Sequence, residues 1–206
     1  QSFGADGITI HPRPDQRHIT YHDAITLQTV LKKEFNIEGN PIDKFVNLVT
    51  EIKPDQVTLV PDAINAITSN SGWDTIKNKD FLKEVISEFK GNGIRTSIFV
   101  DPELKFIEGA KEAGAERIEL YTESYAVNFQ KGNLNEINKY IEASLLANKL
   151  NMGVNAGHDL NIQNISHFVS KIPYLNEVSI GHAIICESLY LGIENVINLY
   201  LQKINN

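Results

Sequence analysis

Short runs of β-branched and aliphatic residues alternate along the chain with longer amphipathic stretches, the pattern of βα units laid around a parallel sheet. Seven runs stand out: Gly7 to Ile10, Phe35 to Ile37, Val57 to Val60, Thr96 to Val100, Ile118 to Tyr121, Met152 to Asn155 and Val178 to Ile180. The stretches between them have the length of helices. Pro102 falls at a first helical turn after the fourth run, and Gly114 is placed to close that helix. Ile193, Ile197, Leu201 and Ile204 recur at helical spacing and predict a buried face on the last helix. From Pro61 to Asp74 the sequence is rich in Asn, Ser and Thr and shows no period. It reads as a structured loop in the position of a lid, with Trp73 packed inside it.

The segment from Ala113 to Leu120 has a partial echo at Phe3 to Ile10, and both read as a helix end followed by a strand. The chain, whose first residue is Gln1, is therefore expected to open on the tail of a helix whose own strand is missing. Restoring a βα unit of about 30 residues gives eight units and roughly 240 residues, the size of a (β/α)8 TIM barrel. The expectation is one α/β catalytic domain over residues 1–206, a parallel barrel with its first βα unit largely absent. An open doubly wound sheet is the competing architecture.

Composition narrows the class. With 42% hydrophobic and 22% charged residues the chain resembles an average soluble domain. Its formal charge of -7 supplies no net positive field to gather a nucleic acid, so an anionic ligand must be caught locally. Cys186 is the one cysteine, which leaves no disulfide framework or Cys-rich zinc site and fits a reducing, cytoplasmic setting. It reads as a core residue. No apolar run approaches the roughly 18–20 residues of a membrane span, and no signal-peptide pattern opens the sequence.

In a parallel barrel the chemistry sits at the C-terminal strand ends, so polar residues just after each apolar run matter first. His11 follows the first run and Glu38 the second; Asp101 ends the fourth, Glu119 lies within the fifth, His158 follows the sixth and His182 the seventh. Each alone has a structural explanation. Together they converge on one mouth and suit acid–base catalysis, which needs groups with separated pKa values. From His11 to His18 one loop holds two histidines and two arginines, Arg13 and Arg17, a cationic spot for phosphate on an acidic protein. Metal binding by this loop is the rival reading, weakened by the absence of His-x-His or H-E-x-x-H spacing. Gly157-His158 and Gly181-His182 each place Gly-His after a strand, the second before a helix. Backbone N–H groups and a helix N-terminus there would accept an anion, at the last two strands where barrels often hold phosphate.

These residues resemble the pyridoxine 5′-phosphate synthase family along essentially the whole chain. The most specific pieces are Gly4 to His11 with Arg13 and Arg17 to Thr20, then Asn36-Ile37-Glu38, Thr58 to Pro61, Val154 to His158, and Ile180 to Ile185. The resemblance implies condensation of 3-amino-2-oxopropyl phosphate with 1-deoxy-D-xylulose 5-phosphate to pyridoxine 5′-phosphate, phosphate and water, with no metal or organic cofactor. It also implies a homo-oligomer, commonly an octamer. By the same resemblance His11 and Glu38 are proton acceptors, His158 a proton donor, and Glu119 the carboxylate that supports the transition state. Arg13, His18 and Thr68 match positions that hold the deoxyxylulose phosphate; Asp159, Gly181 and His182 match those for the aminoketone phosphate. The sequence departs from the family in lacking its opening strand, which carries Asn-x-Asp-His and a nearby arginine. Thr68 to Asp74 follows the family's Thr, acidic and double-glycine pattern only loosely, and Asp159 stands where some members carry glycine. Two alternatives stay open on the residues alone: another phosphate-binding barrel enzyme of isomerase type, and a non-catalytic truncated barrel.

Overall fold

The structure is a computed structural model that describes residues 1–62 and 68–205. Its elements in chain order are β1 (Gly7–Ile10), α1 (Tyr21–Val30), β2 (Glu34–Gly39), α2 (Asp43–Ile52), β3 (Gln56–Leu59), α3 (Lys79–Gly91), β4 (Arg95–Val100), α4 (Leu104–Ala113) and β5 (Arg117–Tyr121). Then follow α5 (Glu123–Gln130), a 3-10 turn (Leu134–Glu136), α6 (Ile137–Lys149), β6 (Gly153–Gly157), α7 (Ile165–Lys171), β7 (Leu175–Ser179), α8 (His182–Leu191) and α9 (Ile193–Asn205). All neighbouring strands pair in parallel, in the order β1 to β7. This is the (β/α)8 barrel architecture with seven of its units. The expected gap is where it was placed: among the described residues β1 pairs with β2 alone and β7 with β6 alone.

Local sequence explains the main boundaries. Thr20 caps α1 in a reciprocal box, its hydroxyl accepting from the Asp23 N–H (3.1 Å) while the Asp23 carboxylate accepts from the Thr20 N–H (2.8 Å). Gly114 ends α4 at φ +94°, a left-handed turn that glycine enters without a Cβ penalty. Gly4 takes a similar φ of +108°, but the residues before it form a turn and no helix. Pro102 lies ahead of the first turn of α4, because Asp101 stays in the strand-end loop and accepts the Gly72 N–H (3.0 Å).

The strands have two unlike faces. Phe35, Ile37, Val57, Leu59, Ile98, Val100, Ile118, Leu120 and Val154 join the helices in one buried core, with Phe45, Leu48, Leu82, Phe89 and Phe168 among their neighbours. The alternate positions are polar and bond to one another across the sheet interior: Asn36 donates to Thr9 (3.3 Å) and Thr58 donates to Asn36 (3.2 Å). At the N-terminal end of the strands Arg95 and Arg117 reach Glu34 and Glu177, with Gln56 and Asn155 filling the remaining bonds. That interior explains why β7 begins at Leu175 rather than Val178: Asn176 and Glu177 break the apolar run yet belong to the strand.

Three packing expectations are corrected. Trp73 sits in the main core rather than within its own loop. On α9 the fully buried positions are Val196 and Tyr200, which pack with Ile165 of α7 and Val178 of β7; of the expected face Ile197, Leu201 and Ile204 are partly buried and Ile193 is exposed. Cys186 is exposed rather than core, since α8 packs on α9 beside the open sheet edge and buries none of its side chains. Of the loop expected as a lid, residues 63–67 lie outside the described residues.

Candidate active site

Parallel strands bring all their C-terminal ends to one end of the sheet, and there the sequence-predicted residues fall into two groups. The first gathers the ends of β1, β2 and β3. His11 and Arg13 follow β1, Glu38 ends β2, and Asp62 lies in the loop after β3. Arg13 Nη1 donates to Asp62 Oδ2 at 3.0 Å, Ser69 Oγ donates to the same oxygen at 2.9 Å, and His11 Nε2 stands 3.9 Å away. Asp62 is only 7% exposed, and its main-chain carbonyl accepts from Asn40 Nδ2 (2.8 Å). Burial, then the Arg13 charge, push the His11 imidazolium down to a pKa of about 4, against the opposing pull of Asp62. His11 is therefore a neutral base at neutral pH. Glu38 goes the other way: desolvation and then the Asp62 charge raise it to about 7, with Arg13 opposing. Its Oε1 is shielded from solvent and has no hydrogen-bond partner among the described residues.

The second group is built on β5 and β6. Glu119, 3% exposed, projects into the interior, and its pKa is raised well above the carboxylate range by burial, then by Glu38 and Glu177. That Glu38 acts on Glu119 links the two groups. Gly157 makes room for this side chain: a Cβ there would lie 2.2 Å from Glu119 Oε1. His158 follows in a left-handed conformation (φ +79°), as does Asp159 (φ +58°). The Thr122 hydroxyl holds this turn through the main-chain carbonyls of Gly157 (2.7 Å) and His158. The His158 ring is fixed edge-on against Tyr121 at 4.9 Å, with Nε2 3.3 Å from Thr68 Oγ1 and Nδ1 3.2 Å from Asp159 Oδ2. Thr68 thus reaches His158, although the resemblance placed it with Arg13.

His18 is exposed in the loop after β1, and Gly181 and His182 are exposed where α8 begins; no hydrogen bond or ion pair among the described residues ties these three to either group. They share the same end of the sheet. Gly181 gives α8 no side-chain cap, so the first N–H groups of the helix remain available to an anion. Among the described residues no three His, Cys, Asp or Glu side chains form a metal-binding group, and no helix is long and apolar enough to cross a membrane.

Sequence reasoning missed Asp62, Tyr121 and Thr122, and it read Gly157 as part of an anion turn rather than as the space for Glu119. For Asp62 the signal was present, since it stands just past the apolar run that ends at Val60, where the strand-end rule looks.

The arrangement places a neutral imidazole, two carboxyls whose pKa values burial raises, a second imidazole and an arginine at one barrel mouth, a set that can move protons in both directions. The chain's fold is shared with 3-keto-L-gulonate-6-phosphate decarboxylase from Vibrio cholerae O1 biovar El Tor (TM-score 0.67, 9% identity, covering 99% of this chain and 86% of that one). It is shared too with phosphoribosyl anthranilate isomerase from Thermotoga maritima (TM-score 0.62, 12% identity, covering 99% and 90%). In sequence it is 64% identical to the pyridoxine 5′-phosphate synthase of Christiangramia forsetii, over 98% of this chain and 85% of that protein. It is 63% identical to that of Flavobacterium johnsoniae, over 99% and 86%. Residues 1–206 match the family described as pyridoxal phosphate biosynthesis protein PdxJ, and the chain belongs to that family.

Proposed function

We propose that residues 1–206 form the single catalytic domain of an enzyme that condenses 3-amino-2-oxopropyl phosphate with 1-deoxy-D-xylulose 5-phosphate, giving pyridoxine 5′-phosphate, phosphate and water. Relatives 63–64% identical carry the name of that synthase. The observation that carries the reading to this chain is the pairing of the neutral base His11 with proton-holding Glu38 and Glu119 in one mouth.

Imine formation, enolisation, loss of water and phosphate, and ring closure each move a proton, so bases and acids must act in turn. His11 accepts a proton as a neutral imidazole. Glu38, poised near 7, exchanges one with little driving-force penalty. Glu119, protonated, donates a hydrogen bond to an oxygen on which charge develops, in a dry site where that bond is strong. His158, aimed by Thr122 and Tyr121, gives a proton to a leaving oxygen. The deoxyxylulose phosphate lies on Arg13 and His18 with Thr68 nearby, and the aminoketone phosphate on the Gly181-His182 helix start with Asp159. No metal or organic cofactor takes part in these steps. The protein works in the cytoplasm as a homo-oligomer, in which the exposed Ile185, Leu189 and Tyr190 of α8 are covered.

The test is direct: purified full gene product, both substrates, and detection of pyridoxine 5′-phosphate with release of inorganic phosphate. Product formation that stops when either substrate is withheld supports the reading. No product at saturating substrate removes it.

A further inference from the structure

Asp62 belongs to none of the roles above, yet it is the most connected acid of the mouth. One oxygen, Oδ2, takes the Arg13 guanidinium at 3.0 Å and the Ser69 hydroxyl at 2.9 Å, and lies 3.9 Å from the His11 ring. The Asn40 side chain, from the loop after β2, grips its carbonyl. The loops after β1, β2 and β3 and the chain at Ser69 therefore meet at this residue. The side chains of the Arg13–Asp62 pair are 12% and 5% exposed, too shielded for the weak, screened behaviour of a surface ion pair.

We propose that Asp62 is a positioning residue of this site: through Oδ2 it fixes Arg13 where a substrate phosphate is bound, and it sets a negative charge 3.9 Å from the His11 ring and just beyond the end of β3, the strand paired with β2 that carries Glu38. The inference rests on the functional reading for the identity of the reaction, but not for the charge relation itself. The charged groups that face Glu38 are Asp62 from the β3 loop, Arg13 from the β1 loop and Glu119 from β5; those that face His11 are Arg13, Arg17 and Asp62. Asp62 is a like charge to Glu38 and an opposite charge to His11. Its presence therefore keeps a proton on Glu38 to higher pH and opposes the depression of His11. Arg13 pulls both groups in the reverse direction. Glu38 sits near neutrality because burial and Asp62 outweigh Arg13.

Asp62→Asn separates charge from shape, since the amide oxygen still accepts from Arg13 and Ser69. In the full gene product labelled with ¹³C at the glutamate carboxyl carbon, with Glu38→Gln identifying the Glu38 signal, the Glu38 midpoint should fall by about one pH unit in Asp62→Asn. It should return in Asp62→Glu. The acid limb of the pH profile of kcat/KM should move down by the same amount, and KM for the deoxyxylulose phosphate should rise about tenfold, as for a loosened guanidinium–phosphate pair. A folded Asp62→Asn protein with the Glu38 midpoint unmoved overturns the proposal. If Asp62→Asn does not fold, Asp62→Ser carries the test, since it removes the charge and keeps a hydroxyl acceptor for Arg13; the Glu38 midpoint should again fall, and an unchanged midpoint again overturns the proposal. The NMR titration needs no turnover, so a protein inactive on both substrates removes the functional reading without touching this result.

Discussion

The two ends of the barrel interior hold the same residue types and treat them differently. At the floor, Glu34 and Glu177 meet Arg95 and Arg117, with the Arg95–Glu177 contact at 3.4 Å and amides closing the network: Arg95 Nε donates to Gln56 (2.9 Å) and Arg117 donates to Asn155 (3.0 Å). At the mouth, Glu38 and Glu119 each leave an oxygen shielded and unpartnered among the described residues, and Arg13 is engaged by Asp62. Even at the floor Glu34 is raised, by burial and by Glu177, but Arg95 pulls against the rise. A carboxylate matched by a guanidinium is held as part of the frame. One stripped of water without a cation keeps its proton, and each unit of pKa displacement stores about 1.4 kcal/mol of preference that a reaction can use.

The contrast breaks first at Glu38. Glu38→Gln keeps the shape and removes the exchangeable proton, so turnover should fall by about 10²-fold or more, the scale of losing a general acid–base group. Steady-state kinetics on the folded variant reads it, and near-wild-type kcat would remove Glu38 from the mechanism.

The same residue should leave a mark on stability. The folded chain holds the Glu38 proton more tightly than the unfolded chain, so the group stabilises fully below its ordinary value of 4.5, and that contribution is lost as pH rises through about 7. Denaturant unfolding of the wild type should lose about 3 kcal/mol from this group across that window. Glu38→Gln should lack this part of the slope; parallel pH curves for the two proteins would contradict the raised pKa.

Gly157→Ala tests the space given to Glu119. A Cβ 2.2 Å from Oε1 forces the side chain to move, and overpacking of this kind costs ~1–3 kcal/mol. Adding Glu119→Ala should recover much of that stability if the clash is with Glu119, and a double-mutant cycle with no coupling would show that it is not.

The floor should give the smallest effect and of a different kind. Arg117→Met leaves Glu177 without its closest cation, but both side chains are partly exposed (19% and 31%), so the loss should be ~1–2 kcal/mol of stability, between surface and buried pairs. Turnover should stay within about threefold, because Glu177 acts on the mouth only through Glu119, where burial and Glu38 are the larger causes of the raised pKa. A large loss of kcat with unchanged stability would erase the distinction between floor and mouth.

Much of this was readable in order along the chain. The seven apolar runs marked the seven strands, Gly114 marked a helix end, and His11, Glu38 and His158 stood near strand ends as the barrel rule requires, with Glu119 inside the fifth strand. Asp62 stood where the strand-end rule looks, but it lay in a loop without period and 49 residues from the arginine it holds, so nothing along the chain joined the two. Tyr121 read only as the end of a strand and Thr122 carried no signal of its own, until the turn of Gly157 and His158 came to rest on them.

What the sequence determined by itself was the alternation: in Glu34 to Glu38, Gln56 to Leu59 and Arg117 to Tyr121 every second residue is apolar, which sets one face of each strand against the helices. It could not say where the polar face goes. In an open sheet that face would meet water, and Glu119 would be an ordinary ionised surface carboxylate. Only the curling of seven parallel strands around a shared interior turns the polar face inward, pairs the acids at the floor with arginine, and leaves those at the mouth dry. Desolvation depends on what surrounds a group in three dimensions, and no spacing along the chain encodes it.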